Sequence, residues 1–110
     1  MAIKTDGTLW GWGMNTMGQL GQNTTSTGYY SSPIQIPGTT WSKIATETKS
    51  SAAIKTDGTL WSWGYNQNGA LGQNSVNPAG RKSSPTQIGT DTDWHNIQGS
   101  NENFIATKLI

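Results

Sequence analysis

Ala2-Ile3-Lys4-Thr5-Asp6-Gly7-Thr8-Leu9-Trp10 recurs unchanged as Ala53-Ile54-Lys55-Thr56-Asp57-Gly58-Thr59-Leu60-Trp61, 51 residues further on. An identical run of this length is not chance, and self-similarity at such a period marks a repeat architecture. The correspondence continues outward. Trp12 answers Trp63 and Gly13 answers Gly64; Asn15 answers Asn66, Gly18 answers Gly69, and Leu20-Gly21-Gln22-Asn23 answers Leu71-Gly72-Gln73-Asn74. Beyond a variable loop, Ser31-Ser32-Pro33 matches Ser83-Ser84-Pro85, and Gln35-Ile36 matches Gln87-Ile88. Trp41 and Ile44 then match Trp94 and Ile97 at an offset of 53, which also carries Ala53-Ile54-Lys55 onto Ala106-Thr107-Lys108. The chain thus divides into a first repeat over about residues 1–51, a second over about 52–104 and the start of a third over 105–110.

Each repeat holds four strand-sized segments. Residues 41–48 are β-branched and bounded by Gly38 and Lys49-Ser50-Ser51. Residues 52–56 and 59–64 flank Asp57-Gly58, which predicts a two-residue hairpin because such turns need positive φ. In that hairpin Ile54 lies opposite Trp61 and Ala52 opposite Trp63, with Lys55, Leu60 and Ser62 on the other face. The fourth strand is predicted as residues 33–36 or 85–88, with its leading proline suited to an edge. No sustained 3.6-residue apolar period is present, so no helix beyond a turn is expected. Four short strands at this period predict an all-β fold, a β-propeller of four-stranded antiparallel blades, in which each sheet covers its Trp and Ile faces on its neighbours.

Composition narrows the function. Only 12% of residues are charged, at a formal net charge of +1, whereas 43 of the 110 are Thr, Ser, Asn or Gln. Seven basic and six acidic residues give no electrostatic reason to expect nucleic acid as a partner. No apolar run approaches the ~18–20 residues that span a bilayer, which predicts no membrane insertion, and no charged-then-apolar leader follows Met1. The absence of cysteine excludes a disulfide framework, a thiolate metal site and a cysteine nucleophile.

The motif Trp12-Gly13-Met14-Asn15-Thr16-Met17-Gly18-Gln19-Leu20-Gly21, repeated as Trp63-Gly64-Tyr65-Asn66-Gln67-Asn68-Gly69-Ala70-Leu71-Gly72 after Ala-Ile-Lys-Thr-Asp-Gly-Thr-Leu-Trp, resembles the repeat of the regulator of chromosome condensation, the RCC1 family. The Ser-Pro-x-Gln-Ile and Trp-x-x-Ile elements fit it too, so the resemblance covers nearly the whole chain. It implies a propeller, usually of seven blades, here two blades plus part of a third. It implies little about activity, since the family includes nucleotide exchange factors, a plant ultraviolet receptor and a bacterial β-lactamase inhibitor. No loop wedge of an exchange factor stands out in residues 22–31 or 73–83, and no Trp is followed by the Arg-His of the ultraviolet receptor.

Candidate sites are few. His95 with Asp91 and Asp93 offers a weak metal or base arrangement, against a plain solvated loop; Ser42 takes the position of His95 in the other repeat. Asp6 and Asp57 read as hairpin-tip residues rather than a carboxylate ring, and Asn15 and Asn66 as Asx-turn residues. Asn23-Thr24-Thr25 is an isolated glycosylation sequon. No catalytic, cofactor or metal site is expected. Trp10, Trp12, Trp41, Trp61, Trp63 and Trp94 are expected to pack between blades. Tyr29-Tyr30 and Arg81-Lys82 do not repeat, and are placed in rim loops that either contact a partner or simply vary.

A chain that opens on the second strand of one blade and stops within another leaves Trp-rich faces and strand edges uncovered. That predicts a slice of a longer polypeptide or a ring completed by other copies, so other blades of the same or neighbouring chains are expected partners. Near-identical, polar repeats suggest a non-enzymatic recognition module of a phage tail fibre or surface adhesin, on a virion or outside the cell, binding a host-surface glycan or protein. The alternative is a cytoplasmic regulatory propeller that binds a protein, in the manner of an exchange factor or an enzyme inhibitor.

Overall fold

The Asp-Gly turn sets the register of everything after it. In the computed structural model, Lys55 N–H donates to the Thr59 carbonyl at 3.0 Å, and Gly58 N–H donates to the Lys55 carbonyl at 2.9 Å. Gly58 has φ +86°. The loop is therefore three residues, Thr56-Asp57-Gly58, a type I turn followed by a left-handed glycine. The same bonds recur at Lys4, Gly7 and Thr8, each at 2.9 Å.

This corrects the expected two-residue hairpin. Ile54 lies opposite Leu60 and Ala53 opposite Trp61. One extra loop residue shifts the ladder by one position, and a shift of one exchanges the faces of the sheet. Trp61 and Trp63 consequently share a face with Ala53, while Ile54 and Ala52 share the other with Leu60 and Ser62.

The structure describes residues 1–14, 19–20, 29–47, 49–65, 82–100 and 103–108. Among them the strands are β1 (Ala2–Ile3), β2 (Leu9–Met14), β3 (Tyr29–Ile36), β4 (Trp41–Thr46), β5 (Ser50–Lys55), β6 (Leu60–Gly64), β7 (Lys82–Gln87), β8 (Trp94–Ser100) and β9 (Asn103–Lys108). No helix occurs among the described residues. All pairing is antiparallel, in sheets ordered β1-β2-β3, β4-β5-β6-β7 and β8-β9. The middle sheet is thus a full four-stranded blade, flanked on one side by a three-stranded sheet and on the other by a two-stranded one.

Two differences from the sequence expectation concern strand length and period. β3 and β7 begin several residues before their prolines, so Tyr29 and Tyr30 are strand residues opposite Met14 and Gly13, not loop residues. Lys82 likewise opens β7 opposite Gly64. The ladder continues past an irregularity between Gly11 and Gly13, and between Ser62 and Gly64, where a bulge absorbs the extra residues. A second bulge lies between Trp41 and Lys43, and between Trp94 and Asn96. It lets Trp41 and Ile44, three apart, point to one face.

The three sheets stack face to face through two versions of one interface. In the first, Leu9 and Ile36 pack on Trp41, Ala53 and Trp63, with Met1, Ile3, Ile44 and Trp61 around them. In the second, Ala45, Ala52, Ile54, Leu60 and Ile97 pack together with Ile88, Trp94, Phe104 and Ala106. Leu60 and Ile88 repeat Leu9 and Ile36; Trp94, Ile97 and Ala106 repeat Trp41, Ile44 and Ala53. Strand β5 is covered on both sides, which explains Ser50-Ser51-Ala52-Ala53: small side chains let two sheets approach one strand.

Candidate functional site

The Asp-Gly-Thr-Leu-Trp stretch builds a fixed corner on each of its two blades. Asp57 Oδ1 accepts from Thr59 N–H at 3.0 Å and from Thr59 Oγ1–H at 2.6 Å, and Thr59 Oγ1 accepts from Trp61 Nε1–H at 2.8 Å. Asp6, Thr8 and Trp10 repeat the chain of bonds at 3.0, 2.6 and 2.9 Å. These hydrogen bonds, first the hydroxyl and then the main-chain N–H, hold both carboxyls below their ordinary 3.8, with a nearby lysine adding to the effect. The two aspartates are thereby committed within their own turns.

The corner fixes an indole beside a lysine. Lys55 Nζ lies 4.4 Å from the Trp61 ring centroid and 5.0 Å from that of Trp41, close enough for cation–π attraction. Lys4 Nζ lies 4.5 Å from Trp10, and Lys108 Nζ 5.0 Å from Trp94. Trp41 meets Trp61 edge-on at 6.2 Å and Trp63 at 5.8 Å, separations typical of favourable aromatic pairs. A cavity of about 200 Å³ opens beside them, lined by Pro37, Gly38, Trp41, Lys55, Trp61 and Pro85. On the first sheet, Ala2, Lys4, Trp10, Trp12 and Pro33 line a wider one of about 480 Å³. These are the repeat equivalents of Ala53, Lys55, Trp61, Trp63 and Pro85, without a sheet of the described residues laid over them.

The family profile of the "Regulator of chromosome condensation (RCC1) repeat" matches residues 6–54 and 57–102. The chain belongs to the RCC1 repeat family. The mitochondrial RCC1 domain-containing protein RUG3 of Arabidopsis thaliana is 32% identical over 89 residues, which is 80% of this chain and 19% of that protein. Among solved structures, Prp20p of Saccharomyces cerevisiae, described with its binding to Gsp1p and histones, superposes with a TM-score of 0.81 at 17% identity, over 98% of this chain and 28% of that one. Human WBSCR16 superposes with a TM-score of 0.77 at 18% identity, over 96% and 27%. Yeast RCC1 bound to Kap60 gives 0.80 at 20%, over 97% and 27%. The chain thus spans between about a fifth and just over a quarter of these proteins, and the fold it shares with the solved structures is a blade-built β-propeller.

Within this RCC1 unit the tryptophans are not equal. Trp63 is 0% and Trp41 2% exposed, Trp10, Trp61 and Trp94 are half-buried, and Trp12 is 48% exposed. Trp63 and Trp12 hold the same repeat position, so the difference is what covers them: Trp63 Nε1 donates at 2.7 Å to the carbonyl of Gln19, a turn residue between β2 and β3 of the neighbouring blade. Tyr30 and Lys82 stand at equivalent places, opposite Gly13 and Gly64, so the structure brings one residue of each non-repeating pair to the same end of neighbouring blades. Arg81, Asn15, Asn66 and Asn23 lie outside the described residues.

His95 is exposed at the bulge of β8, and its carbonyl accepts from Lys43 Nζ at 2.8 Å. Asp91 and Asp93 face Lys108 instead of the imidazole: the Lys108 ammonium bonds the Asp91 carboxylate, with Asp93 Oδ1 at 3.7 Å. Among the described residues no three His, Cys, Asp or Glu side chains gather as a metal site would require. Sequence reasoning missed the lysines as partners of the indoles. The recurrence of Lys4, Lys55 and Lys108 in the repeat marked a kept position, but not the ring each one lies on.

Proposed function

We propose that the chain is a non-enzymatic, protein-binding segment of a regulatory RCC1 propeller. One observation carries this reading. Residues that hold the blades together repeat almost without change, whereas Tyr30 and Lys82, at one equivalent position on adjacent blades, differ in size and charge. A propeller keeps its stacking surfaces uniform and places recognition on the parts free to vary. The protein ligands named for the yeast relative support a protein as the partner. The uncovered Trp10–Trp12 face, with its cavity of about 480 Å³, suits a further blade of the same or a neighbouring chain.

The tail-fibre or adhesin reading, with a glycan as ligand and a virion location, rests on polar composition and near-identical repeats alone, and none of the relatives named above points to it. An intracellular location goes with the regulatory reading. The two are separated by passing the chain over a glycan array and, in parallel, by capturing soluble protein from an extract of the source organism. The expected result is saturable capture of one protein, weakened by Tyr30→Ala, and no glycan bound. Glycan binding lost in Tyr30→Ala, with no protein captured, would overturn it.

A further inference from the structure

Lys4, Lys55 and Lys108 occupy one position of the repeat, each over a tryptophan ring. They differ in what answers their charge. Lys108 is bonded by Asp91 and approached by Asp93, which stand three residues and one residue before Trp94. Counted back from Trp41 in the same way, the residues are Gly38 and Thr40. Among the described residues no carboxylate lies within ion-pair distance of Lys55. Asp57 is near enough to feel the ammonium, but its Oδ1 is bound by Thr59. At Gly38 there is instead the cavity of about 200 Å³, with Lys55 in its wall.

We propose that this cavity receives a carboxylate from outside the chain, the side chain of an aspartate or glutamate on a partner protein, seated on Lys55 between the Trp41 and Trp61 rings and the Pro37 and Pro85 walls. The second interface shows the chemistry within the molecule itself, an aspartate on the equivalent lysine. The volume sets the scale: ligand-sized pockets run to about 300–1,000 Å³, so this one takes a single side chain. Lys55 is half-buried between rings, where a charge-assisted bond is stronger than in open water. The inference rests on the protein-binding reading and adds the chemistry recognised.

The test is an NMR titration of the 110-residue chain with the capped peptide acetyl-Ala-Asp-Ala-amide, following the Lys55 side chain and the Trp61 indole. The asparagine peptide and sodium acetate are titrated separately. Saturable shifts at Lys55 with the aspartate peptide, weakened about tenfold or more in the asparagine peptide, are expected. Lys55→Met and Thr40→Asp should each weaken binding to a similar degree. The second places a carboxylate where Asp93 stands in the other repeat, and Thr40, at φ +65°, occupies a conformation that aspartate adopts more readily than a β-branched residue. Equal binding of both peptides, or undiminished binding in both variants, overturns the proposal. Acetate binding as tightly as the peptide assigns the cavity to free carboxylates and overturns the protein ligand. Peptide binding with no protein captured sinks the protein-binding reading alone, while capture that survives Lys55→Met sinks the cavity alone.

Discussion

The main-chain N–H of Trp94 donates to the Gly58 carbonyl at 3.1 Å, as that of Trp41 donates to the Gly7 carbonyl at 2.9 Å. The glycine of each Asp-Gly turn therefore serves two blades. Its positive φ closes the hairpin of its own sheet, and its carbonyl receives the first strand of the next. Thr56 N–H donates to the Thr40 carbonyl at 2.8 Å within the middle sheet and so holds Thr40 and Trp41 where Gly7 meets them, a contact of main chain on main chain.

Gly58→Ala should be the costlier of two chemically identical substitutions. A Cβ there would fall 1.8 Å from the Thr92 carbonyl oxygen, against 3.2 Å from Thr40 Cα for a Cβ on Gly7. Both pay about 1–2 kcal/mol for a left-handed alanine, and only Gly58→Ala must also displace the neighbouring backbone. Urea denaturation of the two variants checks the order. Equal losses would mean that the β8 end yields freely.

The repeat, and with it the blade, was legible because nine identical residues demand one local structure twice. The face assignment was not. Asp-Gly serves both a two-residue turn and the longer turn with a left-handed glycine, and the difference of one residue decides whether Trp61 opposes Ile54 or Ala53. The bonds of Lys55, Gly58 and Thr59 settle it, and no local propensity encodes them. The bulge at Ser42 did leave a trace, since Trp41 and Ile44 are three apart where an even strand would space them by two. Lys55 as a ring partner was hidden for a different reason: alternation alone cannot say that a charged residue lies along an indole rather than in solvent.

Trp63 and Trp12 provide a test of covering, since sequence position is shared and burial is not. Trp63→Ala should destabilise by roughly 3–5 kcal/mol, because it removes a fully buried ring and one of the two donors to the Gln19 carbonyl, the Ser51 hydroxyl at 2.8 Å being the other. Trp63→Phe should recover part of that loss, retaining a ring while losing the bond. Trp12→Ala, at a site 48% exposed, should cost less than half as much as Trp63→Ala. Chemical denaturation reads all three, and a Trp12→Ala loss equal to that of Trp63→Ala would show that Trp12 is covered in solution.

Lys108 is held above its ordinary 10.5, chiefly by the Asp91 hydrogen bond, with both aspartates adding charge. A raised lysine contributes stability that is complete below the unfolded value and is lost as pH rises through the folded one. Through this pair the melting temperature should thus be independent of pH near neutrality, where its contribution is complete, and fall on the alkaline side. Asp91→Asn should flatten that alkaline fall. Because the side chains are 38% and 56% exposed, added salt should shrink the difference between Asp91→Asn and the parent chain.

Asp57 governs the opposite limb. Its carboxyl is depressed below 3.8 by the Thr59 hydroxyl and N–H, then by Lys55. A depressed carboxyl contributes stability that is present above the unfolded value and is lost as pH falls through the folded one. The window therefore opens just below pH 3.8, and the same holds for Asp6. Thr59→Val keeps the shape of the side chain, removes the strongest cause of the shift and takes the acceptor from Trp61 Nε1. It should lower stability by about 1–2 kcal/mol at neutral pH and make the acid limb shallower, because less of the carboxylate's advantage remains to be lost. Asp57→Asn, which still suits the turn but does not titrate, should shallow that limb further. Melting curves across the acid range decide it: parallel limbs in parent and Thr59→Val would mean that the hydroxyl does not hold the carboxylate in solution.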